Sequence, residues 1–226
     1  MNIAVLGTGT VGRTMAARFA DLGHQVAIGT RDPEATLART EPDAMGNSPF
    51  SAWHADHPQV RLETFAEAAE QAELVVNATN GGVSVEVLNQ AGTANLAGKV
   101  LLDIANPLDF SRGFPPTLFV KDTDSLGEQI QRAFPETRVV KSLNTMTAAL
   151  MAEPALAAGG DHSVFVSGDD AAAKQSVVDL LTSLGHTDVI DLGDLSTARG
   201  TEMLLPVWLR LMGALGTPMF NFKIAR

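Results

Sequence analysis

The segment Asn2-Ile3-Ala4-Val5-Leu6-Gly7-Thr8-Gly9-Thr10-Val11-Gly12 joins a five-residue, largely apolar run to three glycines spaced G-x-G-x-x-G. A short apolar run closed by glycine reads as a buried strand. Beyond it the period changes: Val11, Met15, Phe19 and Leu22 share one helical stripe, with Arg13, Arg18 and Asp21 off it. Gly23 then stands where a helix ends. Strand, glycine turn and helix form the opening unit of a dinucleotide-binding domain. Gly7 permits the tight turn, Gly9 lets backbone approach a pyrophosphate, and Gly12 lets helix pack on strand. The free N–H groups and positive end of the helix hold the phosphates. The glycine spacing alone is a weak signal. Its place, directly after the first strand and at the start of a helix, carries the reading.

Outward from this unit, further apolar runs recur between helical segments. Strands are expected at Gln25–Ile28, Leu74–Ala78, Val100–Ala105, Val139–Leu143, Ser163–Ser167 and Asp188–Leu192. That alternation predicts an α/β fold, a Rossmann-type, doubly wound, mostly parallel sheet. Glu41–Pro58 breaks the rhythm with three prolines, a glycine, His54, His57 and Trp53, and reads as an insertion between the second and third strands. From Ser196 onward a helical segment carries Met203, Leu204, Val207, Trp208 and Leu211 on one broad apolar face. We therefore expect a nucleotide-binding domain over 1–194 and a short helical part over 195–226. Within Met203–Met212 the only charge is Arg210, and a helix apolar nearly all round is buried on all sides. This points to a homodimer contact, with cover from the 41–58 insertion as the competing expectation.

The end of the second strand chooses the nucleotide. NAD enzymes place an acid there for the ribose hydroxyls, whereas NADP enzymes accommodate a 2′-phosphate with a cation. Here Gly29, Thr30 and Arg31 follow Ile28, and Asp32-Pro33-Glu34 reads as the cap and first turn of the next helix. NADP is the expected cofactor, with Thr30 and Arg31 at the phosphate.

Composition narrows the chemistry. The 226 residues include 26 acidic and 16 basic side chains, for a net charge of −10. This acidity argues against nucleic acid or an anionic membrane as partner. There is no cysteine, so disulfides and thiolate catalysis are excluded, and no tyrosine, so a Tyr–Lys dehydrogenase is excluded too. No lysine lies between Lys174 and Lys223, and this removes the β-hydroxyacid dehydrogenases, which use a lysine on a long helical C-terminal domain. Strand-like residues begin at Asn2 with no basic segment ahead of an apolar one, so no leader is expected. Uncharged stretches such as Leu74–Val85 and Leu211–Phe222 fall short of the roughly 20 apolar residues of a spanning helix. A cytoplasmic protein without membrane association is expected.

The chain resembles the coenzyme F420-dependent NADP reductases and their bacterial relatives. GTGTVG at the start, GTRD after the second strand and Asn106-Pro107 carry the likeness, together with KSLNTM at Lys141–Met146, SGDD at Ser167–Asp170 and DLGDLSTARGTE at Asp191–Glu202. The resemblance implies hydride transfer between NADP and a deazaflavin held against the C-terminal part. It also implies that Thr8, Gly9, Thr10 and Val11 face the NADP phosphates and ribose, and that Asn106 and the Asn144–Ala148 stretch, including Thr145, Met146 and Ala148, line the nicotinamide end. Two positions differ from deazaflavin-using members, with Ala35 in place of a lysine and Asn144 in place of a histidine. Free flavin or another small redox acceptor stands beside coenzyme F420 as partner, and a non-catalytic NADP(H)-sensing module is the reading from another class.

The remaining constellations are weak. Hydride transfer between cofactors needs no catalytic acid or base, and no side chain is assigned that role. His24 and His186 read as structural. His54 and His57, with Asp56 between them, read as surface residues, so no metal site is expected. Asp169 and Asp170 read as caps of an Ala-rich helix. Arg199 and Glu202 read equally as an i,i+3 helix pair, or with Arg199 as the cation nearest an anionic acceptor.

Overall fold

Alternating side chains build the sheet from its centre. In β1 (Asn2–Leu6), Ile3 and Val5 face one side and Ala4 and Leu6 the other, and all four are buried. The computed structural model describes residues 1–42, 46 and 48–226. Helix α1 (Thr10–Asp21) returns the chain to β2 (Gln25–Thr30), and Gly23 takes the left-handed conformation after it, at φ +85°. Short helices α2 (Pro33–Leu37) and α3 (Phe50–Asp56) lead to β3 (Arg61–Thr64). Helix α4 (Phe65–Gln71) then precedes β4 (Leu74–Asn77), and α5 (Ser84–Ala91) and α6 (Thr93–Leu96) precede β5 (Val100–Asp103). A small antiparallel hairpin follows, β6 (Leu108–Asp109) with β7 (Thr117–Leu118). Helix α7 (Leu126–Ala133), β8 (Arg138–Ser142), α8 (Ala148–Ala152), β9 (Ser163–Gly168), α9 (Ala171–Leu184) and β10 (Asp188–Asp191) complete the sheet. Helices α10 (Ala198–Met203) and α11 (Leu205–Leu215) end the chain's regular structure.

The eight-stranded sheet has the order β10-β9-β8-β5-β4-β1-β2-β3. The six strands from β8 to β3 run parallel, and β9 and β10 run antiparallel to them. Ile3 and Val5 join Phe19 of α1, Leu150 of α8 and Leu181 of α9 in one core, while Ala4 and Leu6 join Phe65 of α4, Leu88 of α5 and Ile130 of α7 in the other. From β1 the chain builds β2 and β3 on one side and β4, β5 and β8 on the other. That reversal opens a crevice at the carboxyl ends of β1 and β4, where α/β sheets bind ligands.

Three sequence expectations need correction. The stretch Glu41–Pro58, of which positions 43–45 and 47 lie outside the described residues, contains helix α3 and is followed by the unexpected β3. Strand β3 reads Arg-Leu-Glu-Thr at an edge, where one inward Leu62 suffices, so no apolar run announces it. Nor does the C-terminal segment form a single helix. Pro206 supplies no N–H donor, and the helix restarts at Leu205, after Leu204. This turns Leu205 and Leu209 inward, whereas Met203 and Val207 are exposed. Helix α3 packs against α2, beside the Arg13 contact to the Ser48 carbonyl, so it does not cover α11.

Candidate functional site

The glycine turn is shaped by close contacts on two sides and left open on the third. Gly7 has φ +122°, and a Cβ there would lie 2.7 Å from the Ala78 carbonyl oxygen. A Cβ on Gly12 would lie 2.0 Å from the Gly7 carbonyl oxygen, so α1 and β1 meet at a distance no side chain permits. A Cβ on Gly9, by contrast, would meet nothing within 4 Å. Helix α1 has no side-chain cap and no acid in its first turn. Side chains cap α2, α4, α7 and α9, whereas α3, α5, α6, α8, α10 and α11 share the lack of one, so what distinguishes α1 is the open space at Gly9. An uncapped helix start beside open space at Gly9 fits a pyrophosphate.

From this turn a cleft of about 470 Å³ runs across the ends of β4, β5 and β8 to α11. Thr10 and Val11 form its entrance, and Asn106, Asn144, Met146 and Ala148 line its depth. Asn106 Nδ2 donates to the Asn144 carbonyl at 2.9 Å, and Asn144 Nδ2 donates to Asn106 Oδ1 at 3.0 Å and to the Thr201 carbonyl at 3.2 Å. These two amides tie β5, the β8 loop and α10 together. Thr145 is 2 % exposed and stands outside the lining. Leu205, Trp208 and Leu209 supply an apolar wall from the C-terminal part, where the acceptor is expected, and Phe110, which the sequence did not mark, joins them from beside the β6–β7 hairpin. Leu205 and Leu209, one turn apart on α11, face the cleft. The buried Trp208 Nε1–H has no hydrogen-bond partner among the described residues, and Trp208 stacks on Phe220 with ring centroids 5.4 Å apart. Among the described lining residues none is titratable.

Beneath the cleft lies a buried polar network. Lys141 Nζ sits 2.9 Å from Asp103 Oδ2 and 2.8 Å from Glu202 Oε1, and also donates to the Ala105 carbonyl. Burial pulls the Lys141 pKa down, but Asp103 and Glu202 outweigh it and hold the ammonium above its ordinary value. Asp103 accepts from Asn77 Nδ2 at 2.8 Å. Glu202 accepts from the Leu126 and Gly127 backbone N–H groups at 2.8 and 3.1 Å, so it also caps α7. Glu202 is therefore not the helix partner of Arg199. Arg199 instead makes a two-pronged ion pair with Glu128, whose carboxyl is lowered below its usual range by that hydrogen bond.

At the other end, Thr30 is buried and its hydroxyl lies 2.9 Å from that of Thr36. Arg31 is open, its side chain 72 % exposed and 3.7 Å from Glu86. Asp32 caps α2 through the Ala35 N–H, as its sequence position implied. Asp170 likewise caps α9, but Asp169 accepts from the Leu195 N–H instead. His54 and His57 bond the Val60 and Trp53 carbonyls, and His186 bonds the Met151 carbonyl. Among the described residues no helix is long and apolar enough to cross a membrane.

Comparison with known proteins finds a matching family model and several relatives. The family model described as "NADP oxidoreductase coenzyme F420-dependent" matches residues 2–107. The F420-dependent NADP reductase of Methanothermobacter marburgensis is 28 % identical over 215 residues, covering 93 % of this chain and 92 % of that protein. The metalloreductase STEAP3 of Rattus norvegicus is 28 % identical over 211 residues, 91 % of this chain, but the chain spans only 37 % of that protein's length. A crystal structure from Arthrobacter sp. FB24, carrying a provisional assignment as an F420-dependent NADP reductase, is 70 % identical with a TM-score of 0.97 and full coverage of both chains. The chain belongs to the family of coenzyme F420-dependent NADP oxidoreductases.

Proposed function

We propose that this chain is an NADP(H)-dependent oxidoreductase that passes hydride between NADP(H) and coenzyme F420. One observation carries the reading: a single cleft joins the uncapped start of α1 to the apolar wall of α11 and has no titratable lining among the described residues. Such a cleft suits a reaction whose chemistry belongs to two bound cofactors, the nicotinamide as hydride donor and the deazaflavin as acceptor, with the accompanying proton taken from solution. The protein's work is then positioning and exclusion of water. In this reading, Thr8 to Val11 receive the pyrophosphate and ribose, with Gly7 and Gly12 shaping the turn. Asn106, Asn144, Met146 and Ala148 face the nicotinamide, and Thr145 supports them from behind. The Asn106–Asn144 pair fixes the floor, and Phe110 and Trp208 flank the planar acceptor.

The NADP preference rests on Arg31 and on the absence of a free acid at the end of β2. We further assign residues 195–226 to the acceptor site and to a homodimer contact, in a cytoplasmic enzyme. Met203, Val207 and Leu215 leave an exposed apolar strip along α10 and α11, which supports the dimer.

Oxidation of NADPH and NADH across a panel of coenzyme F420, free flavins and quinones tests the reading. NADPH consumption with coenzyme F420 as the best acceptor is the expected result. Turnover with flavin alone would move the acceptor assignment, and binding without turnover would leave an NADP(H) sensor.

A further inference from the structure

The end of β2 holds more positive charge than its sequence motif suggests, and its hydroxyl is already committed. Thr36 Oγ1 donates its proton to the Asp32 carbonyl at 2.7 Å. In the 2.9 Å contact between the Thr30 and Thr36 hydroxyls, Thr30 must therefore be the donor. Thr30 has no proton left for a phosphate.

A guanidinium stands where that hydroxyl does not serve. Arg39 Nη2 lies 3.5 Å from Thr36 Oγ1, one step from Thr30, and its remaining N–H groups are open to solvent. Arg39 shares a cleft of about 570 Å³ with Thr8 and Gly9 of the glycine turn. Arg13 also lines this cleft and is anchored to the Ser48 carbonyl at 2.7 Å, and Glu41 is the one carboxylate among the described lining residues. Arg31 directly follows Thr30 and lies 3.7 Å from Glu86 of α5. Two arginines thus stand by the end of β2, Arg31 next to Thr30 along the chain and Arg39 through Thr36, where a dinucleotide-binding domain meets the adenosine ribose.

We infer that Arg39 is the second cation of the 2′-phosphate subsite, holding with Arg31 the phosphoryl group that distinguishes NADP(H) from NAD(H). This rests on the NADP(H) reading above. A 2′-phosphate carries close to two negative charges at neutral pH, and two guanidinium groups match that charge. Arg39 is exposed and its side chain's one hydrogen bond among the described residues is the long contact to Thr36, so its replacement should leave the fold intact, which an unchanged thermal melt checks.

The test is calorimetric titration of the unmodified protein, Arg39→Ala and Arg39→Lys with 2′,5′-ADP, 5′-ADP, NADPH and NADH. Arg39→Ala is expected to weaken 2′,5′-ADP and NADPH roughly 10- to 100-fold, the range of a charge-assisted contact, while 5′-ADP and NADH stay within about two-fold. Arg39→Lys should recover some of the loss, since it restores charge without the fork. Unchanged affinity for 2′,5′-ADP in Arg39→Ala, or equal losses for both ADP isomers, overturns the inference while leaving nucleotide binding in place. If the unmodified protein binds none of the four ligands, the nucleotide reading itself falls, and this inference with it.

Discussion

Gly9 keeps ordinary backbone angles, φ −74° and ψ −178°, so a side chain there strains nothing in the folded chain. Its space is open inside the protein and, in our reading, closed only by the bound pyrophosphate. Gly9→Val should therefore unfold at the same urea concentration as the parent and lose NADPH affinity by more than about 10-fold, the cost of overpacking a filled site. Retained affinity, read by tryptophan fluorescence, would make the glycine turn purely structural. The other fingerprint glycines differ, since Gly7 and Gly12 have protein atoms where a Cβ would go. The fingerprint was legible because glycine spacing encodes backbone approach directly. The fate of Thr30 was not, because only the fold brings Thr36 against it and decides which hydroxyl donates.

Elements were legible where their faces are buried. β1, β4 and β5 are covered on both sides and read as apolar runs, whereas β3 and the β6–β7 hairpin bury too little to leave a pattern. The polar links between elements were also hidden, since nothing in the order of residues pairs Lys141 with Glu202. That link holds α10 to the sheet and caps α7. Glu202→Ala leaves two buried N–H groups and the Lys141 charge short of a partner, and should cost about 3–5 kcal/mol in urea unfolding. Glu202→Gln, which keeps an acceptor for α7, should cost less. A loss below about 1 kcal/mol for Glu202→Ala would contradict the link.

Between α8 and β10, burial lowers the pKa of His186 to about 4, against an ordinary value of 6.5. The unfolded chain takes up this proton below pH 6.5, and the folded chain refuses it until about pH 4. Stability is thus unaffected above that window and falls as pH drops through it, by about 3 kcal/mol if this histidine acts alone. Thermal melts of the parent and His186→Gln should diverge between pH 6.5 and 4, with the variant losing less. Parallel curves would show that the ring is charged in the fold.

For the whole molecule, the doubly wound order gathers the proposed contacts at the carboxyl ends of the parallel strands, and α11 lines the far end of that cleft. The outer strip of Met203, Val207 and Leu215 on α10 and α11 is the surface we assign to a second copy. Light scattering should give twice the 23.8 kDa chain mass, and Val207→Glu should lower it toward the monomer. A parent protein of single-chain mass at micromolar concentration would end the dimer assignment.

Hydride passes directly, in this reading, through the cleft between the glycine turn and Trp208, which has no titratable lining among the described residues. This transfer is tested most directly with NADPH carrying deuterium on the transferable position, mixed with enzyme and oxidised coenzyme F420 in ordinary water. The account predicts that the reduced deazaflavin carries the deuterium on carbon, in an amount equal to the NADPH oxidised. Oxidation of NADPH with the label absent from the deazaflavin, or no oxidation at all, would contradict it.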